Sequence, residues 1–261
     1  MELGLHDRAA IVTGASRGIG RQVASSLVAE GARVLAVGRD PHSLDEVVAE
    51  LGSAHVVAHA ADVTDPTAAA GIVAACQGAF GRLDILVNNA GGASPVPLAD
   101  LTDDDWRRGF ELNFFSAVRL ASVCAPVMAA AGWGRLVHVA SVSGREPDPS
   151  FAPYSAAKAA LINWSTSVSQ AYASSGVLSS CVVPGITVTE LVAANAEATA
   201  ERLGTSPDEV MAKVLARHRV AAGRFGTPAE VAASIVFLAS DAASWISGAT
   251  LEVDGGTLRS V

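Results

Sequence analysis

The sequence predicts an α/β chain, an open and doubly wound parallel sheet with helices on both faces, in a single domain. Three observations predict it. Short apolar runs recur roughly every thirty residues and alternate with longer helical segments, in six βα units, the pattern of parallel strands joined by crossovers. The runs lack polar alternation, as strands covered on both faces require. The first run passes straight into a glycine-rich turn that opens a helix, an arrangement suited to a pyrophosphate.

Composition narrows the function. Half of the 261 residues are hydrophobic, ample for one core, and the net charge of −8 is diffuse. No basic face emerges, so nucleic acid is not an expected partner. Cys76, Cys124 and Cys181 are scattered and match no zinc spacing, which suits a reducing compartment. His55 and His59 share a strand face without a third ligand, so no metal is expected. The opening MELGLHDRAAIVTG lacks a basic stretch followed by an apolar one, so no signal peptide is expected. The most apolar long run, Leu120 to Gly132, contains Pro126 and is too short for a bilayer. A cytoplasmic protein away from membranes is the expectation.

Arg8 to Thr13 is the first strand. Gly14, Ser16, Arg17, Gly18, Ile19 and Gly20 form the turn, where glycines permit φ > 0 and let backbone N–H groups approach a phosphate. A helix from Gln22 to Glu30 follows. Arg33 to Gly38 is the second strand, whose end faces the adenosine ribose. An acid there would bind a 2′-hydroxyl, but Arg39 stands there instead. It either pairs with a 2′-phosphate, with Arg17 joining it, or is a solvated surface charge. Asp40 reads as the N-cap of the next helix, with Pro41 at its first position. The third strand, Ala54 to Ala60, ends before Asp62 and Val63. The Asp62 carboxylate can accept from an adenine amino group or simply make a turn. Asp65-Pro66 opens a helix through Phe80.

Leu83 to Val87 is the fourth strand. Asn89, Ala90 and Gly91 follow it, small residues that let a ribose or nicotinamide approach. Thr102 opens a helix to about Ala131 that carries Asn113 in its interior, either a surface polar residue or a helix distortion that holds a water. Arg135 to Ser141 is the fifth strand, Phe151 to Ser174 a helix, and Val177 to Val183 the sixth strand. Pro184 and Gly185 close that strand. Thr187 and Thr189 bind a carboxamide or phosphate, or else cap the next helix. Two helices, Glu190 to Leu203 and one opened by Ser206-Pro207-Asp208-Glu209, form an insertion over about 189–226. It follows a strand's C-terminal end, where such sheets bind ligands, and is a candidate substrate lid. Leu191, Val192, Leu203, Met211 and Leu215 give it an apolar wall toward substrate, or mere packing onto the body. Thr227 opens the last helix, to Ala239, and Thr250 to Val253 is the final strand.

Chemistry concentrates between Ser141 and Lys158. Tyr154 and Lys158 are four apart in an Ala-rich helix, so they share a face. An ammonium beside a phenol favours phenolate, so the Tyr154 pKa is expected to fall toward working pH. A phenol tuned in this way exchanges a proton with an alcohol or carbonyl oxygen. Ser141 ends a strand and offers that oxygen a second hydrogen bond. Of 2 Lys against 16 Arg, one is Lys158, so the position wants an ammonium. Alone, the pair also reads as a solvent-facing Lys beside a half-buried Tyr.

The whole set of motifs resembles the short-chain dehydrogenase/reductase family along nearly the full chain. TGASRGIG at 13–20, Asp62-Val63, NNAG at 88–91, Asn113, Ser141, YSAAK at 154–158, PGITVT at 184–189, GTPAEVA and DGG stand in the family's order. The resemblance implies a Rossmann-type sheet of about seven strands, often in a homotetramer, so a homo-oligomer (tetramer or dimer) is expected. It implies a tetrad: Tyr154 as acid/base, Lys158 lowering its pKa and binding the nicotinamide ribose, Ser141 orienting substrate and Asn113 holding a relay water. The tail resembles the 3-oxoacyl-thioester reductase and secondary-alcohol dehydrogenase branches. The reading is an oxidoreductase that uses NADP(H) rather than NAD(H) on a small-molecule carbonyl or alcohol. The alternative is a reductase of 3-oxoacyl thioesters on carrier protein or CoA, for which Arg107, Arg108 and Arg135 are the candidate docking cations. A non-catalytic NADP-binding sensor or scaffold is the alternative of another class. Two departures from the family pattern are Ser143, a second hydroxyl near Ser141, and the run Arg145 to Pro149 at the site mouth.

Overall fold

Strand propensity and two-sided burial together produce the sheet. In the computed structural model, which describes residues 2–259, β1 (Ala9–Thr13) is followed by α1 (Gly18–Ala29), β2 (Arg33–Gly38), α2 (Pro41–Leu51), β3 (Val56–Ala60), α3 (Ala68–Phe80) and β4 (Ile85–Asn88). Next come α4 (Asp103–Phe110), a π-helical turn (Glu111–Phe115), α5 (Ser116–Ala131), β5 (Gly134–Val139), α6 (Ala152–Tyr172) and β6 (Val177–Pro184). The chain continues through α7 (Glu190–Leu203), α8 (Pro207–His218), α9 (Pro228–Leu238) and β7 (Thr250–Val253).

The seven strands are parallel in the order β3-β2-β1-β4-β5-β6-β7. In β1, Ala10 and Val12 join one core with Val23 and Leu27 of α1 and Ile235 of α9. Ala9 and Ile11, pointing the other way, join a second with Ile72 of α3 and Leu120 and Met128 of α5. β1 thus feeds two cores by its two-residue period, which is why its sequence shows no polar side. The chain winds outward from β1 in one direction and from β4 in the other. Between them lies the switch point where ligands bind beyond the strand ends.

Helix boundaries differ from expectation in three places. α1 begins at Gly18 rather than Gln22, so Gly18, Ile19 and Gly20 of the expected turn already belong to the helix. Asp65 opens a turn rather than a helix: its carboxylate accepts from the Thr67 N–H at 2.8 Å, and α3 begins three residues later. The expected helix to Ala131 is interrupted by the π turn, with Asn113 at its centre. Asp103–Ala131 is nonetheless one helical run of 29 residues, long and apolar enough by length and composition alone to cross a bilayer, although the Leu120–Gly132 stretch at its end is too short to do so. In this fold its apolar face packs on α3 and β5.

Candidate active site

One cleft of about 790 Å³ opens at the C-terminal edge of the sheet, a size ordinary for small-molecule sites. Its floor is the turn after β1. Gly14 and Gly18 have φ of +65° and +57°, which side-chain-bearing residues rarely adopt. A Cβ on Gly20 would strike the Gly14 carbonyl and the Asn89 amide. The loop is fixed from β4: the Asn89 amide donates to Thr13 O at 2.9 Å, and the Asn89 and Ala90 N–H groups donate to the Thr13 hydroxyl at 3.0 Å. The glycines therefore leave no side chain of their own at the entrance to α1, and the cradle fits a dinucleotide diphosphate.

At one end of the cleft lie Ser16, Arg17, Gly38, Arg39, Asp62 and Val63. Asp40, the acid next to Arg39, is turned away to cap α2, accepting from His42 and Ser43 N–H groups at 3.2 and 3.3 Å. The hydrogen bond from the Ser43 hydroxyl holds its carboxyl below the usual range. Arg17 and Arg39 are exposed, and among the described residues neither has a salt-bridge partner. Asp62 accepts from the Thr64 N–H at 2.9 Å and the Thr64 hydroxyl at 2.7 Å, which lowers its pKa.

At the other end Ser141, Tyr154 and Lys158 converge with Gly91, Pro184, Gly185 and Thr187. Lys158 is 3% exposed, and its Nζ donates to Val139 O at 2.7 Å. It lies 5.6 Å from the Tyr154 ring centroid. Burial pushes the Lys158 pKa down to about 8. Burial also raises the Tyr154 phenol, against a smaller opposing effect of Ser141. The expected fall of the Tyr154 pKa is therefore corrected: desolvation of the phenol outweighs the hydrogen bond with Ser141, and the shift is upward. Ser141 also accepts from the Ser143 N–H at 3.2 Å, so Ser143 supports the turn through its backbone.

Asn113 and Gly20 do not line the cleft; both stand behind its wall. The Asn113 amide donates to Gly92 O at 2.9 Å and Gly109 O at 3.0 Å, and its oxygen accepts from the Gly92 N–H at 3.0 Å. It clamps the loop after β4. A Cβ on Gly91 would lie 2.9 Å from Asn113 Oδ1 and 3.2 Å from Lys158 Nζ, so Gly91 is required by close approach. The distortion expected at Asn113 is present, and the side chain is spent on holding Gly92.

The outer wall comes from α7 and α8. Leu191, Val192 and Met211 face the cleft as expected. Leu203 is 59% exposed instead, and Leu215 gives way to Val210 and Val214, which share the inward helix face. Thr189 lines the cleft and caps α7, accepting from the Val192 N–H at 3.3 Å. Sequence reasoning missed three contributors. Thr13 locks the loop. Asp148, in the Arg145–Pro149 run, accepts from Arg217 of α8 at 2.9 Å across the mouth. His138 of β5 is fully buried behind Lys158, between Asn88 and Ser179 at 3.1 and 3.3 Å. Each depends on a long-range contact; Thr13 stood in the TGASRGIG motif and Asp148 in the Arg145–Pro149 run, but the role of neither was visible there, and His138 left no trace in the sequence.

Residues 8–200 match the family model for short chain dehydrogenase. The chain is 38% identical over 264 residues to an uncharacterized oxidoreductase of Bacillus subtilis, YvrD, covering 100% of both chains. It is 38% identical over 247 residues to the 3-oxoacyl-acyl-carrier-protein reductase FabG of Salmonella typhimurium, covering 95% of this chain and 96% of that one. Among solved structures, the L-sorbose reductase of Gluconobacter frateurii, complexed with NADPH and L-sorbose, superposes with a TM-score of 0.96 at 31% identity over 100% of both chains. With a family model spanning most of its length and relatives matching from end to end, the chain belongs to the short-chain dehydrogenase family and is an oxidoreductase acting between CH–OH and C=O groups.

Proposed function

We propose that the protein is an NADPH-dependent ketoreductase, or secondary-alcohol dehydrogenase in reverse, with Tyr154 as acid/base. The observation that carries the reading is the convergence of Ser141, Tyr154 and Lys158 at the inner end of the cleft that begins at the glycine loop. When bound, the dinucleotide supplies the hydride at its nicotinamide. The Tyr154 hydroxyl gives its proton to the carbonyl oxygen as the carbon is reduced, and takes it back in the oxidative direction. Ser141 hydrogen-bonds the same oxygen. Lys158, in reach of the nicotinamide ribose, stabilises the phenolate left behind. A raised phenol suits reduction, since it starts protonated.

The preference for NADP(H) rests on two exposed guanidinium groups at the adenosine end and on Asp40 being committed to its helix cap. The 189–226 segment is the substrate lid, and its apolar inner wall suits a medium or bulky apolar carbonyl. A homo-oligomer accords with the exposed Trp106, Phe115 and Trp245, and light scattering tests it. A cytoplasmic setting accords with three buried free cysteines.

A second reading, reduction of 3-oxoacyl thioesters, is favoured by the FabG relative. Its docking cations are poorly placed, however. Arg107 and Arg108 pair with Asp104 and Asp105 at 2.8 and 2.7 Å. Arg135 is 4% exposed and packs over the Trp133 ring at 4.3 Å. NADPH absorbance loss with a panel of free ketones and acyl-pantetheines tests both. Turnover of apolar ketones supports the first reading, turnover of thioesters alone the second, and turnover of neither overturns both.

A further inference from the structure

The entrance to α1 is the anion-binding end of the glycine loop, yet a carboxylate of this same chain already sits on it. The Gly18 N–H donates to Glu190 Oε2 at 3.0 Å, across 172 positions of sequence. Nothing local does this work: Arg17, the N-cap residue, places no side chain on the helix end, and α1 has no acid in its first turn. Glu190 is the first residue of α7, beside the capping Thr189. The two segments fit closely. A Cβ on Gly18 would lie 3.1 Å from Thr189 Cγ2 and 3.8 Å from Glu190 Oε2. Glu190 also lines the cleft. It therefore ties the root of the 189–226 segment to the floor of the nucleotide cradle.

A dinucleotide diphosphate on the glycine loop needs the same helix N-terminus and brings negative charge to it. Two anions on one helix end repel, and a backbone N–H serves one acceptor well. We propose that Glu190 is a displaceable self-ligand, holding the base of the lid on the cradle and leaving when dinucleotide binds. Nucleotide binding and lid release then become one equilibrium: the diphosphate must expel Glu190, and the lid root is freed only where diphosphate is present. Removing the carboxylate should tighten dinucleotide binding and loosen the lid of the empty protein.

This inference rests on the dinucleotide-binding reading above. Calorimetric titration of NADPH into the full-length wild type, Glu190→Ala, Glu190→Gln and Glu201→Gln separates the two. Glu201 is exposed on the same helix and its side chain makes no hydrogen bond or salt bridge among the described residues, so it controls for net charge. We expect Glu190→Ala to bind NADPH about tenfold tighter, as loss of one charge-assisted hydrogen bond implies. Glu190→Gln, which keeps an acceptor without the charge, should fall between, and Glu201→Gln should stay within about twofold of wild type. In the nucleotide-free proteins, hydrogen exchange over residues 190–203 should be faster in Glu190→Ala, and NADPH should erase the difference. Should Glu190→Ala fail to fold, Glu190→Gln decides. Unchanged or weaker NADPH binding in the Glu190 variants, or an equal gain in Glu201→Gln, overturns the self-ligand. A wild type that binds no dinucleotide overturns the functional reading and this inference with it.

Discussion

The two ends of the cleft are built from opposite surroundings. Where the proposed chemistry occurs, burial pushes ionisable groups toward neutrality. Lys158 is held near 8, His138 is held down to about 3, and Tyr154 is raised. Where the adenosine is proposed to bind, Arg17 and Arg39 are exposed to solvent. One end takes ionisable groups out of water and so adjusts their proton affinity; the other keeps its two guanidinium groups exposed, as the proposed recognition of a phosphate requires. Substitutions at the dry end should change the rate and its pH dependence, and those at the wet end should change affinity and its salt dependence.

The largest break in this contrast is expected at Lys158. Lys158→Ala should lower kcat by about 10²–10⁴-fold, the range for loss of acid–base support. Lys158→Arg should not restore it, because a planar guanidinium cannot replace an ammonium seated 2.7 Å from Val139 O. Steady-state kinetics at saturating NADPH checks both.

At the wet end, Arg39→Asp should raise KM for NADPH by about 10–100-fold, the worth of a charge-assisted hydrogen bond, and leave KM for NADH nearly unchanged. Wild-type affinity for NADPH should fall with added salt more steeply than affinity for NADH. Equal losses for the two nucleotides would mean that Arg39 does not meet a 2′-phosphate.

These contrasts show which parts were legible in the sequence. The strands were, because two-sided burial leaves unbroken apolar runs such as Ala9–Thr13. The Tyr154–Lys158 pair was, because helical spacing is local. The capping role of Asp40 was too, since Asp followed by Pro41 is a local signature. The sense of the Tyr154 shift was not, since it depends on how deeply the fold buries the phenol relative to its ammonium neighbour. Nor was the Glu190–Gly18 contact, the Asp148–Arg217 pair or the setting of His138, each made by elements distant in sequence. The insertion's inward face was half legible: Leu191, Val192 and Met211 were correctly placed, but Leu215 and Leu203 required the actual helix rotation.

Smaller effects sharpen the comparison through pH. The kcat/KM for the dinucleotide, which reports on the free enzyme, should decline as pH rises through about 8, where Lys158 loses its proton. The smallest effect concerns stability. His138 has a folded-state pKa of about 3 against 6.5 unfolded, so the unfolded chain binds the extra proton between those values. Stability should therefore fall as pH drops from 6.5 toward 3. His138→Gln should flatten that decline, reducing the acid-induced loss of Tm by about 3 °C, within the scale of 1 kcal/mol in a domain of this size. Thermal melts at paired pH values measure it.

The central claim is that the Tyr154 hydroxyl moves the proton and does little to hold the nucleotide. Its most direct test pairs turnover with NADPH titration in wild type and Tyr154→Phe. The account predicts turnover lower by about 10³-fold or more, with NADPH affinity within about threefold of wild type. Retained turnover, or lost turnover explained by a matching loss of NADPH affinity, would contradict it.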